Sequence, residues 1–286
     1  MHININSLKR KRQLLTEYMS EHTPDLVFIN ETKLGTNNKI KFPRFKIARR
    51  DRNTRGGGVA VLIRENLKYS VIDTGTLTDE VIGIEITLNQ TQIAIVGLYN
   101  PPQKDLNPEV FRYFSNKYER CLFVGDLNSK HQFFGCKSTN NNGNILFDIS
   151  EELDLQILND PTETTHLNYA TGTKDILDMA FATTNLMPKI TDCYVGDDIG
   201  SDHLPIHVKI GTSRLDTSNH PISLFRNFKK ADWETFNMNI SNNLAQNTLN
   251  NITDIDNACV DIEQVINNAA DLACHLLKSG MSEDTH

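Results

Sequence analysis

Short runs of apolar, mainly β-branched residues recur through the first 210 positions of the chain and predict strands. The predicted strands cover residues 2–5, 26–29, 58–63, 81–88, 92–99, 121–125, 176–182 and 203–210. Helical patterns fall between some of them at irregular intervals, over residues 8–21, 108–118 and 143–153. This order favours a layered α+β or α/β arrangement over a strict repeat of strand and helix.

The pattern changes after residue 210. Residues 211–221 are polar and rich in turn formers, as is typical of a linker. Two Asn-rich helical patterns follow, over residues 231–244 and 255–277, and no further strand is predicted. We therefore expect one domain at residues 1–210, followed by a linker and helical connector at residues 211–286.

The composition is that of an ordinary globular protein, with 38% hydrophobic and 23% charged residues and a formal charge of −7. Residues 1–210 are nearly neutral, with 24 Lys and Arg against 26 Asp and Glu. Their basic residues cluster at 9–12 and at Arg44, Lys46, Arg49, Arg50, Arg52 and Arg55. Such clusters are more often solvated faces than phosphate-binding surfaces, so alone they do not establish a nucleic-acid partner.

Five cysteines are scattered along the chain without a C-x-x-C pair. This argues against a disulfide framework or a cysteine-based zinc site and for a reducing compartment. The first residues, MHININSLKRKR, lack the apolar stretch of a secretory signal. No apolar run approaches the roughly 18 residues that a membrane span needs. We expect an intracellular protein with no membrane partner.

Polar residues stand where the predicted strands begin or end. They follow LVFIN and CLFVG, interrupt DILDMAFA, precede the last strand, and alternate along the first. The residues are Asn4, Asn6, Glu31, Asp126, Asn128, Asp178, Asp202 and His203. Since an unpaired buried carboxylate is costly, four acids with amides and one histidine indicate an assembled polar site.

The residue types of this set indicate its chemistry. Carboxylates and amides without cysteine suit a hard cation such as Mg²⁺, which also binds water and substrate phosphate. A histidine oriented by an aspartate titrates near neutral pH and can serve as a base. Together these parts fit metal-assisted hydrolysis of a phosphate ester by water.

Each feature also has a simpler interpretation. Glu31 alone is typical of a helix start or surface, and G-D-x-N alone is typical of an Asx turn. The run RGGGVAVLI lacks a following G-K-[ST], so it predicts a tight turn and not a phosphate loop. We interpret His207 as a strand residue, and His131 and His166 as turn or backbone-contact residues. Helix packing is expected for Trp233, Phe225, Phe228 and Phe236.

Six motifs occur in the order and spacing of one enzyme family: ININSL, FINETKL, VGLYNPP, VGDLNSKH, TTHLNYATGTKDILDMAF and GSDHLPI. Residues 1–210 resemble the endonuclease/exonuclease/phosphatase family, which includes DNase I and the apurinic endonucleases. GDLNSKHQFFG and RNFKKADWETF resemble, more narrowly, a jockey-type non-LTR retrotransposon endonuclease domain and its continuation. The resemblance implies a four-layer α/β/β/α sandwich of two packed, mostly antiparallel sheets with outer helices, plus a C-terminal helical extension.

The resemblance also implies catalytic roles. Asp126 would orient or deprotonate the attacking water, and Asn128 would hold the scissile phosphate. His203 would contact the phosphate and stabilise developing charge, with Asp178 orienting its ring. Tyr99 would donate to a phosphate oxygen.

Metal and substrate contacts follow from the same resemblance. Glu31 would ligate Mg²⁺, or Mn²⁺ in its place, with Asn4 close by and Asp202 beside the ion. Further substrate contacts are implied for Asn6, Asn100, Thr165 and Ser201. One departure is Pro102, which stands where many family members have asparagine.

We expect a Mg²⁺-dependent endonuclease that nicks DNA in the nucleus and leaves a 3′ hydroxyl. Element RNA and a reverse transcriptase region are expected partners. Because no Y-x-D-D motif is present, we expect a fragment whose polymerase is missing. Two alternatives stay open. One is a same-fold phosphoesterase acting on abasic DNA or small phosphate esters. The other is an inactive nucleic-acid-binding remnant, which the Pro102 departure keeps open.

Overall fold

The computed structural model describes residues 1–52, 54, 56–75, 77, 79–169, 171–211, 231–246 and 255–273. The chain divides into two units, Met1–Leu215 and Asp216–His286. Among the helices of the described residues, none combines the length and apolar character that a membrane crossing requires.

Where its residues are described, the first unit contains fourteen strands and three α-helices. The strands are β1 (His2–Asn4), β2 (Leu26–Asn30), β3 (Phe45–Arg50), β4 (Val59–Arg64), β5 (Tyr69–Ile72), β6 (Glu80–Leu88), β7 (Thr91–Tyr99), β8 (Cys121–Asp126), β9 (Leu155–Ile157), β10 (His166–Leu167), β11 (Lys174–Asp175), β12 (Asp178–Thr183), β13 (Ile190–Val195) and β14 (Ile206–Ile210). The helices are α1 (Leu8–His22), α2 (Glu109–Lys117) and α3 (Asn141–Glu152).

Twelve of these strands form two six-stranded sheets, in the orders β13-β14-β1-β2-β4-β3 and β5-β6-β7-β8-β12-β9. In each sheet the two central strands are parallel, β1 with β2 and β7 with β8. The chain passes through α1 between the first pair and through α2 between the second. The other neighbours in both sheets pair antiparallel, so the predicted mostly antiparallel sheets are confirmed.

Three apolar clusters separate four layers. On β2, Val27 and Ile29 belong to the cluster that includes α1, whereas Leu26 and Phe28 belong to the cluster between the two sheets. On β8, Phe123 faces the third cluster, which contains residues of α2 and α3. Alternate strand residues point to opposite faces, so strands buried on both faces become continuously apolar. The predicted α/β/β/α sandwich is confirmed.

All eight predicted strands are present, but six others among the described residues were missed: β3, β5, β9, β10, β11 and β13. Most lie at sheet edges or in a small hairpin, and they carry many half-exposed residues. An edge strand buries less apolar surface, so its sequence lacks the apolar run that identifies a central strand. β3 is an example, since its sequence FKIARR ends in two arginines.

Two strand boundaries differ from the prediction near polar residues. Asp178 is the first residue of β12 and does not interrupt the strand. His203 precedes β14, which begins at Ile206 after Pro205. Proline has no backbone N–H for a sheet ladder, which explains the late start. Both side chains therefore lie at strand ends, next to the other polar residues and not within the sheets.

The second unit contains α4 (Trp233–Gln246) and α5 (Ile255–Ala273). The Asp232 carboxylate accepts hydrogen bonds from the backbone N–H groups of Glu234 and Thr235, as an N-cap does. Trp233 packs edge-on against Phe236, with ring centroids 5.5 Å apart. Phe225, Phe228 and the predicted helical residues 274–277 lie outside the described residues.

Candidate active site at the strand ends

The topology brings the predicted polar residues to one edge of the sandwich. Parallel strands end at the same edge, and an antiparallel neighbour begins there. Asn4 accordingly pairs with Asn30 across β1 and β2, and Tyr99 pairs with Asp126 across β7 and β8. Asp178 opens the neighbouring strand β12 opposite Asp126. Both sheets thus supply polar ends to one cluster.

Asn4 links carboxylates from the two sheets. Its buried amide nitrogen donates to Asp126 Oδ2 at 2.8 Å and to Glu31 Oε1 at 3.2 Å. The Tyr99 hydroxyl donates to the same Glu31 oxygen at 3.0 Å, and Lys33 Nζ lies 2.9 Å from Glu31 Oε2. Burial opposes the charge on Glu31, but these donors outweigh it and hold the pKa of Glu31 below its usual value.

Two histidines clamp Asp178, which is fully buried. His203 Nδ1 lies 2.6 Å from Asp178 Oδ2, and His2 Nε2 lies 2.9 Å from Oδ1. Burial opposes the charge on Asp178, yet the His203 charge and the two hydrogen bonds hold the pKa of Asp178 low. Burial also opposes the charge on His203, but Asp178 outweighs it and raises the pKa of His203 to about 9. Burial lowers the pKa of His2, so His2 is the neutral partner.

Asp126 is the other buried acid of the cluster. Its Oδ2 lies 3.9 Å from His203 Nε2, and its Oδ1 accepts the backbone N–H of Asn128 at 3.1 Å. The Asn30 side chain accepts the backbone N–H of Asp126 at 2.9 Å and fixes the strand end. Burial, followed by the Asp178 charge, raises the pKa of Asp126 to about 7. A carboxyl group of that pKa can accept a proton near neutral pH.

Three asparagines surround these acids. Asn128 has left-handed backbone with φ 46°, and its amide donates to the Asn100 carbonyl at 3.0 Å. The Asn100 amide donates to the Lys104 carbonyl at 2.9 Å, so it supports the loop. Asn6 donates to Asp202 Oδ1 at 3.1 Å and accepts from Lys33. The Asn6 bond helps hold the pKa of Asp202 below its usual value, against the effect of burial.

Two predicted substrate contacts, Thr165 and Ser201, are fully buried. The Thr165 hydroxyl accepts the backbone N–H groups of Leu177 and Asp178, each at 3.0 Å. The Ser201 hydroxyl donates to the Asn4 carbonyl at 2.8 Å. Both hydroxyls therefore hold the backbone beneath the acids.

Sequence reasoning missed His2, Asn30 and Lys33. His2 has a signal in the sequence, because it alternates with Asn4 on the first strand and so shares its face. His166 was expected to be a turn or backbone-contact residue. His166 does form a backbone bridge with His203, but its ring also lies against the His203 ring, with centroids 4.6 Å apart.

The oxygen atoms of the cluster suit a hard divalent cation. Glu31 Oε1 and Asp126 Oδ2 both accept a hydrogen bond from the Asn4 amide nitrogen, so two carboxylates from different sheets lie close together. Carboxylate and amide groups are preferred Mg²⁺ ligands. Next to them, His166, Asp202 and His203 each offer a ligand atom within 4.8 Å of the others. The residues present can therefore hold a divalent cation.

Comparison with known proteins finds relatives among proteins of mobile elements. Residues 93–207 match the family model of endonuclease–reverse transcriptases. The chain is 24% identical over 278 residues to the RNA-directed DNA polymerase from mobile element jockey of Drosophila melanogaster, covering 94% of this chain and 30% of that protein. The corresponding Drosophila funebris protein is 21% identical, with 92% and 29% covered. The chain thus spans about 30% of the length of the curated relatives it matches.

The fold is shared with solved nucleases. The endonuclease domain of TRAS1, a telomere-specific non-LTR retrotransposon, matches with a TM-score of 0.64 and 20% identity, covering 74% of this chain and 96% of that domain. The AP endonuclease LMAP from Leishmania major matches with a TM-score of 0.63 and 14% identity, covering 77% and 87%. The resemblance to the endonuclease/exonuclease/phosphatase family and to jockey-type elements is confirmed.

Proposed function

Because the chain is a nuclease-fold relative of retrotransposon endonuclease–reverse transcriptases, we propose that it is a Mg²⁺-dependent DNA endonuclease that leaves a 3′ hydroxyl. In a complete element this nick would open the target site and prime reverse transcription. Residues 1–210 form the nuclease domain in this proposal, and residues 211–286 form a linker and connector toward a reverse transcriptase.

One observation carries the proposal. Asp126, a buried acid with a pKa near neutrality, lies between the Asn4–Glu31 pair and the charged His203. A carboxyl group suited to accept a proton, a carboxylate suited to a cation and a protonated imidazole are thus adjacent. These are the groups that hydrolysis of a phosphodiester by water requires.

The residues divide the reaction as follows. Asp126 Oδ2 accepts a proton from water as the water oxygen bonds to phosphorus and the bond from phosphorus to O3′ breaks. His203 Nε2–H donates to a non-bridging phosphate oxygen, while Asp178 keeps that ring charged and oriented. Asn128 has a second amide hydrogen beyond the one donated to Asn100, and it binds the phosphate. The leaving O3′ takes its proton from solvent.

The cation is assigned to Glu31 and Asn4, with Asp202 beside it. When bound there, Mg²⁺ would supply stabilisation of the negative charge that develops on the phosphate and the leaving oxygen. Tyr99 and Lys33 hold Glu31 from the other sides and so fix the carboxylate that meets the ion.

Nicking of supercoiled plasmid tests the proposal. We expect relaxation with Mg²⁺ or Mn²⁺, none with EDTA, and a loss of about 10²–10⁴-fold in Asp126→Asn or His203→Gln, the usual contribution of a positioned acid or base. Asp192→Asn is the matched control, because Asp192 pairs with Lys209 on the surface. A DNA polymerase should extend the nick without prior phosphatase treatment, as a 3′ hydroxyl requires.

Failure of the wild-type chain to nick, or nicking by Asp126→Asn at the wild-type rate, would contradict the assignment. The same enzyme should be given intact duplex, abasic duplex and inositol phosphates. Preference for the abasic duplex would identify an abasic endonuclease instead, and preference for inositol phosphates would identify a small-molecule phosphoesterase.

A further inference from the structure

A short pairing of two chain segments places three metal-binding side chains side by side. The N–H of Leu167 donates to the Asp202 carbonyl at 2.8 Å, and the N–H of Leu204 donates to the Thr165 carbonyl at 2.7 Å. His166 therefore faces His203 across a two-segment bridge next to Asp202. One ligand atom from each of His166, Asp202 and His203 lies within 4.8 Å of the others.

Each of these side chains has a nitrogen or oxygen atom that is left to bind a metal ion. His203 Nδ1 is committed to Asp178, which leaves Nε2. The Asn6 amide donates to Asp202 Oδ1, which leaves Oδ2. Among the described residues, buried Nδ1 of His166 has no hydrogen-bond partner. Each of the three residues thus has an atom that can bind a metal ion, and the paired backbone holds the three residues together.

We propose that His166, Asp202 and His203 form a second cation site, one that takes Zn²⁺ and similar nitrogen-preferring transition metals and whose occupancy stops nicking. The binding part stands by itself, and the inhibitory part rests on the proposed function. Asp202 also borders the oxygen-donor position at Glu31 and Asn4, but the two nitrogen ligands, His166 and His203, belong to this second site alone.

The donor set separates the two classes of metal. Two imidazoles and a carboxylate form a common three-ligand zinc set with an open fourth position, whereas Mg²⁺ prefers oxygen donors. Zinc–nitrogen bonds of about 2.0–2.1 Å would place ligand atoms roughly 3.4 Å apart, so closure needs shifts on the order of 1 Å. Asp178 behind His203 completes the carboxylate–histidine–metal arrangement that orients metal-bound imidazoles.

Coordination at His203 explains the inhibition. An ion bound to Nε2 displaces the proton there to solvent, so His203 no longer offers an N–H to the phosphate. The positive charge near Asp126 is then carried by the metal ion, and the hydrogen bond from His203 to the phosphate is lost.

Zinc binding should be measured on the whole chain without DNA, by competition with a chromophoric chelator, and by Co²⁺ absorption as a coordination probe. We expect one Zn²⁺ bound by the wild type and binding at least about tenfold weaker in His166→Phe, which keeps the ring contact but removes both nitrogens. Asp202→Asn should also weaken binding. His131→Gln is the matched control, because His131 lies in a local turn, where its Nδ1 accepts the backbone N–H of Phe133.

Plasmid nicking in Mg²⁺ then measures inhibition. In His166→Phe, half-inhibition should need at least about tenfold more Zn²⁺ than in the wild type, because that variant has lost one of three ligands. Equal zinc affinity of the wild type and the folded His166→Phe and Asp202→Asn variants would overturn the site. Zinc binding by a chain that never nicks DNA would leave the site standing and remove the proposed nuclease.

Discussion

Replacing Asp178 by asparagine tests the charge arrangement at the centre of the site. Asp178→Asn keeps the shape of the side chain but removes the charge that raises the pKa of His203 from 6.5 to about 9. That rise of 2.5 corresponds to about 3–4 kcal/mol in favour of the protonated ring, at about 1.4 kcal/mol for each pKa step. Without the Asp178 charge, burial opposes protonation and the pKa of His203 should fall toward its ordinary value of 6.5, while Asp126 and Asp202 still favour the charged ring.

The rate should follow this change in protonation. At pH 7.5 the protonated fraction of His203 is about 0.97 for a pKa of 9 and about 0.09 for a pKa of 6.5, so nicking should fall by up to about tenfold from this effect alone. The wild-type rate should rise as Asp126 loses its proton near pH 7 and decline near pH 9. Because Asp178 also raises the pKa of Asp126, both limbs should shift to lower pH in the variant.

Initial nicking rates of supercoiled plasmid between pH 5.5 and pH 10, at saturating Mg²⁺, measure both limbs. The optimum of Asp178→Asn should lie below pH 7, and its loss relative to the wild type should grow with rising pH. Asp192→Asn should keep the wild-type profile. If a folded Asp178→Asn chain kept its alkaline limb near pH 9, or lost activity equally at every pH, the assigned role of Asp178 would be refuted.

Three further predictions concern the scaffold. A methyl group at Gly125 would lie 2.0 Å from the Leu98 carbonyl, so Gly125→Ala should lower the free energy of unfolding by about 1–3 kcal/mol in urea titrations. Burial lowers the pKa of His207 to about 4 while it hydrogen-bonds Tyr18. The stability from its neutral form is full above pH 6.5 and is lost as the pH falls toward 4, so His207→Phe should lose less stability on acidification. Thr165→Val removes an acceptor from two buried N–H groups, and thermal melting should show a loss of about 1–3 kcal/mol.

The central fold was predictable because buried strands carry their own signal. β2 and β8 are apolar on both faces, so their sequences identify them without any partner. The β13 sequence, ITDCYV, has no such run. This strand lies at the sheet edge, where it pairs with only one neighbouring strand and is less buried. Its position depends on pairing with β14, which is fixed by chain contacts far apart in sequence.

The sequence predicted which polar residues lie together at the strand ends, but it did not predict which of them form hydrogen bonds with one another. The acids at the strand ends could be identified because a carboxylate next to a buried apolar strand is costly unless it has polar partners. The sequence could not show that Asn4 bridges Glu31 and Asp126, since those three residues meet only through contacts between sheets. Nor could it show that Thr165 faces backbone amides, because a threonine in a loop can turn either way.

The parallel pairs at the two sheet centres also bear on how such a protein can diverge. The acids of the site stand at the ends of β2, β8 and β12 or just before β14, whereas the outermost strands β3, β5, β9 and β13 supply none of them. Insertions or altered loops at those rims can therefore reshape the outer surface while the interior geometry stays fixed. Lineages of this architecture are thus free to change the targets they contact without rebuilding their chemistry.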